Sequence, residues 1–400
     1  MNQNNIILKI TGFLRKWVLP VIFPEEKKRD PKTATIKGEF LGIGKDILFA
    51  LIMALIVIQF VIQAFKIPTG SMENTLKVGD FLLGLKYIYG SPVPFTFKKL
   101  PGLREPVSSD IVIFKYPGDP NYPQNDSRRY IKIINTFLLG ELFLDKTGKS
   151  SGPLGYFRLH RPRDFIKRCV AGPGQTVEVK NKALIVDGKY IPDTPKGIRD
   201  TSSFAMQRLY PIRDNFPLYH VPAAGDDYLF DTIPIRDFYW LRSLIYQENP
   251  QAEIVTVCSL YIEDSSANII HRKELYNEAG ALYREEYRDF YYAKYADDWM
   301  QLDNDIKSSK EQFPDKKFGI KFRIYLDGGE ITHYKLKRNA FFMMGDNRDN
   351  SLDSRYWGPV SKQFIKAKAL IVYFSWDSYA SRLPVSPFKV RWRRIGWLIH

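Results

Sequence analysis

Ser71 stands in the stretch Ile67-Pro68-Thr69-Gly70-Ser71-Met72-Glu73-Asn74-Thr75-Leu76, directly after the most apolar segment of the chain. Gly70 lets backbone approach closely at this point, and the Thr69 hydroxyl can aim at the same reacting atom as Ser71. The same residues also read as an ordinary turn. A serine hydroxyl is a weak nucleophile and needs a base within hydrogen-bond reach. The histidines, His160, His220, His271, His333 and His400, are scattered, and none lies in a segment with catalytic spacing, which disfavours a histidine triad. A lysine can take the part only as a neutral amine, and at a reference pKa near 10.4 about one in 2,500 is neutral at pH 7. Burial lowers a lysine pKa by about 3–5 units. Lys167 has Phe165, Ile166 and Val170 around it, and on a strand Phe165 and Cys169 share its face. Taken alone, it also reads as a surface lysine. Asp346 and Asp349 lie beside Asn347 and Arg348, and such a group satisfies itself more simply than it holds a metal. No metal or cofactor is expected.

These residues need elements to hold them. Ile47 to Phe65 runs without a charge, broken only by Gln59 and Gln63, and reads as a transmembrane helix over 47–65. It begins far from Met1 and no small-x-small cleavage site follows it, so a cleaved leader is the weaker reading. Lys27, Lys28, Arg29, Lys32, Lys37 and Lys45 precede it, against Lys66 and Lys77 over a similar distance beyond, so Met1 is placed in the cytoplasm. Ile6 to Phe23 is interrupted by Lys9, Arg15, Lys16 and Pro20 and suits an interfacial helix better than a spanning one. Val78–Leu85, Ile111–Lys115, Phe165–Val170 and Lys366–Trp376 read as strands, and Thr176–Tyr190, with Asp187-Gly188, as a hairpin. Ile131–Leu144 reads as a buried strand pair or as a patch that dips into lipid. Leu275, Ala279, Leu282, Tyr283, Tyr287, Phe290, Tyr291, Tyr295 and Trp299 recur at helical spacing and predict one long amphipathic helix. Phe388–His400 combines Arg and Trp as an interfacial anchor or an ordinary tail does.

Four hundred residues with 44% hydrophobic content exceed one average domain, and two lobes are expected. The net charge of +15 suits a lipid surface. The dispersal of the basic residues, with no binding motif, disfavours nucleic acid. Cys169 and Cys258 imply no disulfide framework and read as packing residues.

Three segments together carry a resemblance: the one around Ser71, Asp164-Phe165-Ile166-Lys167-Arg168-Cys169-Val170-Ala171-Gly172-Pro173-Gly174, and Met343-Met344-Gly345-Asp346-Asn347-Arg348-Asp349-Asn350-Ser351-Leu352-Asp353-Ser354-Arg355. In this order they resemble the type I signal peptidases, membrane-bound Ser/Lys enzymes that remove signal peptides. The Gly-Asp-Asn-Arg-Asp-Asn-Ser run is the specific signal, and the resemblance covers 47–115, 163–190 and 335–400. It implies a mainly β fold, with an antiparallel sheet catalytic core of the signal peptidase or LexA-like kind. The expected organisation is a basic cytoplasmic segment over 1–46, the membrane helix over 47–65, catalytic core over 66–190 and 336–400, and an inserted α+β second lobe over 191–335 between the two core parts.

The resemblance further implies Ser71 as nucleophile and Lys167 as general base, with Ser351 orienting the Lys167 amine. Thr69 and the Ser71 N–H would form the oxyanion hole. Met343, Met344 and Leu352 would shield the lysine, and Asp353 with Arg355 would be a supporting ion pair. The implied partners are secretory precursors with signal peptides, cut after small residues at −1 and −3, together with membrane lipid and the translocation machinery. The implied place is the bacterial inner membrane, single-pass, with the catalytic part outside. Substrate would add as a strand beside Phe165–Val170. Ser108-Ser109-Asp110 and Gln175 depart from the family's pattern at turn positions, which puts loop geometry in doubt. A maturation protease with few substrates, or a non-catalytic scaffold of the same fold, are the alternatives.

Overall fold

The computed structural model describes residues 36–73, 75–117, 130–136, 140–145, 157–160, 163–192, 212–263, 269–276, 299–312, 314, 316–377 and 390–399. The expectations for Ile6–Phe23 and for most of the 275–299 stripe lie outside these residues. Residues 1–55 and 56–400 form two compact units.

The apolar run is helical only in part. A helix covers Ile36–Phe60. Ile62–Lys66 is a strand, antiparallel to Asp80–Leu85, with Ile62 opposite Leu85 and Lys66 opposite Phe81. The expected helix over 47–65 is corrected accordingly. Sheet pairing, with Phe65 packed on the core beside Leu82, outweighs another helical turn. The uncharged helical part, Ile47–Phe60, spans about 21 Å against a bilayer core of about 30 Å. Among the described residues no helix is long and apolar enough to cross a membrane.

The central sheet is antiparallel throughout. Its order is Ile62–Lys66, Asp80–Leu85, Ile365–Ser375, Ile111–Lys115, Asp164–Ala171, Ala340–Met344 and Val360–Ser361, with Trp397–Leu398 pairing beside Ile365–Ser375. The strands at its heart read as unbroken apolar runs because both faces are covered: Ile111, Val112, Ile113 and Phe114 are all buried, as is every residue of Ala340–Met344. One face packs Met72, Leu76, Leu82 and Ile113, and the other packs Tyr89, Val112, Phe114, Cys169 and Met343. Cys169 is a buried free thiol. In Ile365–Ser375 irregular pairing with both neighbours interrupts the alternation, with Ala367, Ala369 and Val372 buried.

The expected hairpin after Pro173-Gly174 is two successive ones. Thr176–Lys180, Ala183–Val186 and Lys189–Ile191 turn at Asn181-Lys182 and Asp187-Gly188, all four of which take positive φ. Ile131–Leu144 is a strand pair, Tyr130–Thr136 with Gly140–Asp145, joined by Phe157–His160. In the stripe expected to be one helix, Leu275 instead belongs to the strand Ile269–Tyr276, which pairs with Ile254–Glu263, and Trp299 begins the helix Trp299–Gln312. Ile254–Glu263 also pairs with Lys317–Leu326. Helix Ile235–Glu248 turns Phe238, Trp240, Leu241 and Leu244 inward. One apolar cluster therefore runs from Ala171 and Phe342 of the central sheet through Trp240 to Ile254 and Phe322.

Candidate active site

Ser71 sits in the single 3-10 turn Gly70–Met72. The loop that carries it is closed at its neck, where Ile67 N donates to Asp80 O (2.9 Å) and Gly79 N donates to Ile67 O (3.0 Å). Met72 and Leu76, both fully buried, pin it to the core. Two donors from Asn347 then fix the turn itself: its backbone N–H donates to Ser71 O (3.1 Å) and its side-chain amide to Gly70 O (3.2 Å).

Lys167 lies in Asp164–Ala171, opposite Val112. It is 3% exposed. Its Nζ is in hydrogen-bond contact with Ser71 Oγ and stands 5.6 Å from the centre of the Phe165 ring. Burial pushes its pKa down to about 8; Asp353 opposes the shift, Arg355 assists it and Asp346 opposes it. Lys86 and Lys99 are also depressed by burial, Lys86 to about 7 and Lys99 well below the ordinary value. Their amines donate to backbone carbonyls, Lys86 to Ile58 O and Lys99 to Lys362 O. A lowered pKa therefore does not single out Lys167. Contact with a serine hydroxyl does.

The 345–355 segment supports both groups. Asp353 and Arg355 form the expected buried pair, Nε to Oδ1 at 2.8 Å and Nη2 to Oδ2 at 2.9 Å. Burial pushes the Asp353 carboxyl up, and the Arg355 guanidinium more than reverses this, leaving it below its ordinary value. Asp353 Oδ2 also accepts from Gly345 N (3.1 Å), while Arg355 donates to Arg213 O (2.8 Å) and Arg348 O (2.6 Å). Met343 and Met344 are buried, whereas Leu352 is 47% exposed. Ser351 is buried beside Gly345, yet its Oγ makes no hydrogen bond, so the expected bond to the Lys167 amine is not formed here. Thr69 is exposed at the start of the turn and its hydroxyl does not cap it.

Asp346 and Asp349 both take partners far away in the sequence. Asp346 accepts two bonds from Arg168, Nε at 2.8 Å and Nη2 at 2.7 Å, and one from Thr75 Oγ1 at 2.6 Å, all buried. Asp349 faces Lys182 (3.6 Å) and Arg213 (3.8 Å). Among the described residues no three His, Cys, Asp or Glu side chains group as a metal site. Arg168, Thr75 and Asn347 are the residues that sequence reasoning left without a role. The one available signal was an arginine next to the lysine and a threonine four residues after the serine.

Pairing of Asp164–Ala171 with Ala340–Met344 stops at Arg168 opposite Met344. On that side Asp164–Lys167 has no strand partner among the described residues, and Asp164, Phe165 and Ile166 are half-buried. An open strand edge thus leads to the Ser71–Lys167 contact.

The family model described as signal peptidase, peptidase S26, matches residues 41–222 and 270–376. The chain belongs to the signal peptidase family. Signal peptidase I of Aquifex aeolicus (strain VF5) is 26% identical over 336 residues, 82% of this chain and 82% of the relative. Signal peptidase I of Helicobacter pylori (strain 26695) is 25% identical over 354 residues, covering 86% and 88%. That of Pseudomonas aeruginosa is 33% identical, over 129 residues that make up 30% of this chain and 45% of the relative.

Proposed function

We infer that this signal peptidase family member is a serine hydrolase that removes signal peptides from precursor proteins, with Ser71 as nucleophile and Lys167 as general base. The observation that carries the residue assignment is the contact between the buried Lys167 amine and Ser71 Oγ. Neutral Lys167 takes the Ser71 proton as Oγ attacks the scissile carbonyl. The ammonium so formed gives its proton to the leaving amine, and the neutral amine then activates the water that hydrolyses the ester at Ser71. The Ser71 N–H and the Thr69 hydroxyl serve the oxyanion. Ser351, whose buried hydroxyl has no hydrogen-bond partner in this structure, orients the amine once its hydroxyl turns onto it.

The substrate adds as a strand along the open Asp164–Lys167 edge, with small residues at −1 and −3. The Ile47–Phe60 helix enters the lipid of the bacterial inner membrane, Lys45 and Asp46 reaching back to the headgroups. The basic residues before it stay on the cytoplasmic side and the catalytic unit lies outside, near membrane lipid and the translocation machinery. Residues 191–335 are an insertion between the two parts of the catalytic core.

The test is cleavage of a secretory precursor carrying an Ala-x-Ala site, in detergent. The intact chain cuts after the second alanine, while Ser71→Ala and Lys167→Ala do not. Lys167→Arg also fails, because a guanidinium stays charged. Equal cutting by the intact chain and Lys167→Ala would remove Lys167 as the base.

A further inference from the structure

Glu73 closes the Ser71 turn and carries a carboxylate that no other group of the site uses. Its N–H donates to Gly70 O (3.0 Å), and its side chain folds back over Gly70, where an added Cβ would come within 2.8 Å of Glu73 Oε2. Gly70 lacks that atom and so leaves the room that the carboxylate fills. The other carboxylates around the site all have cations. Asp346 holds Arg168 (2.7 Å), Asp353 holds Arg355 (2.8 Å), and Asp349 faces Lys182 (3.6 Å) and Arg213 (3.8 Å). Behind the turn Asp80 holds Arg394 (2.5 Å). The Glu73 side chain forms no hydrogen bond and no ion pair among the described residues. With 59 Lys and Arg against 44 Asp and Glu, the chain has no shortage of cations to offer it.

The sheet decides where a bound chain can go after the cut. The open edge over Asp164–Lys167 closes at Arg168, where Met344 takes the ladder. A strand laid on that edge therefore cannot run straight on past Lys167. The Ser71 turn stands at this end of the edge, in contact with the Lys167 amine. Asn347 covers the carbonyls of Gly70 and Ser71. Pro68 and Thr69 are exposed, and Gly70, Ser71 and Glu73 are half-buried. Glu73 is the one charged side chain between Ile67 and Thr75.

We propose that Glu73 reads the charge of the residues just downstream of the cut, favouring precursors with lysine or arginine at +1 or +2 and disfavouring those with aspartate or glutamate there. The downstream chain leaves over the open side of the Ser71 turn and passes the Glu73 carboxylate. A basic side chain supplies the cation that the carboxylate lacks, whereas an acidic one meets a like charge. Glu73 is thus a specificity residue and takes no part in the bond making at Ser71. The proposal rests on the reading of Ser71 as nucleophile and of the Asp164–Lys167 edge as the seat of the residues upstream of the cut.

The test is kcat/KM of the full chain, in detergent at low ionic strength, for Ala-x-Ala precursors that differ only in carrying Lys, Gln or Glu at +1 or at +2. At one of these positions the parent is expected to favour the lysine form over the glutamate form by about fivefold, the effect of one partly exposed ion pair. Added salt lowers that ratio. Glu73→Gln, which keeps the shape of the side chain, is expected to cut the two forms alike, and Glu73→Lys to reverse their order. A ratio between two substrates is blind to a uniform loss of activity, so a poorly folded variant does not mimic the reversal. If Ser71→Ala is inactive but Glu73→Gln keeps the parent's ratio, the proposal is overturned and the Ser71 assignment stands. A parent that cuts both forms alike overturns it too. If Ser71→Ala still cuts, the reading of the site is wrong and the proposal falls with it.

Discussion

Lys167 can serve as a base only because the fold holds its amine away from water, and that has a cost that can be measured. With a pKa of about 8 in place of 10.5, the neutral amine is a minority at pH 7 and the majority above pH 8. Cleavage is expected to rise with pH and to reach half its plateau near pH 8, read as the acid limb of a kcat/KM profile. The same shift acts on stability. Below pH 8 the folded state carries a buried ammonium that the unfolded chain solvates, a cost of about 3 kcal/mol at 1.36 kcal/mol per unit. That cost shrinks as pH rises through 8 and is gone above the unfolded value of 10.5. Lys167→Met is therefore expected to be inactive yet more stable than the parent at pH 7, and to lose that advantage by pH 10.5; urea midpoints at the two pH values check it. Gly345 is a second residue-scale constraint. A Cβ there would come within 2.3 Å of Ser351 Oγ and 2.5 Å of Ser71 O, so Gly345→Ala is expected to abolish precursor cleavage. A soluble variant with ordinary turnover would refute this.

At the scale of elements, the Ser71 turn, the Lys167 strand and the 345–355 segment come from distant parts of the chain and are joined by one carboxylate. Asp346 takes Arg168 from the strand and Thr75 from the turn, while Arg168 Nη1 donates to Ser109 O (2.7 Å) in the loop before Ile111–Lys115. Removing one partner of a buried pair strands the other charge, at a cost of about 3–5 kcal/mol. Asp346→Ala is expected to lose that much in denaturant unfolding and to lose cleavage as well. The C-terminal segment adds a second tie behind the turn. Arg394 donates to the Asp80 carboxylate (2.5 Å) and to Thr75 O (3.0 Å), and Ile399 is buried in the cluster that holds Met72 and Leu76. The Arg-Trp tail thus packs against the sheet over its described residues, although Trp392 remains exposed.

At the scale of the whole molecule, residues 56–400 make one compact unit, and helix Ile235–Glu248 shares its core with the central sheet. Trp240 lies at that junction. Its ring stacks on Phe216 (5.8 Å), lies 6.4 Å from Phe342 and covers Gly358, where any Cβ would come within 2.5 Å of it. Trp240→Ala is expected to cost about 3–5 kcal/mol. Calorimetry should show it lowering a single transition, because both sides of the junction lose the same contacts. Two separate transitions would mean that the part carrying Trp240 unfolds apart from the central sheet.

Much of this was legible in the amino-acid sequence, because the signals were local. Short β-branched runs, Gly-containing turns and the Gly345–Arg355 motif each lie within a dozen or so neighbouring residues, and the resemblance carried by the motif and the segments around Ser71 and Lys167 points to Ser71, Lys167 and the Asp353–Arg355 pair. What only the tertiary structure decided depends on partners far away in the chain. Ile62–Lys66 left the helix because Phe81–Leu85 offered it a ladder. Asp346 turned from Arg348, its neighbour in sequence, to Arg168, because the strand carrying Arg168 lies directly opposite Met344. Lys86 and Lys99, ordinary lysines by sequence, became buried donors to backbone carbonyls. Local composition sets which residues can form a strand, a turn or a base, whereas a buried charge takes the partner that long-range packing brings within reach.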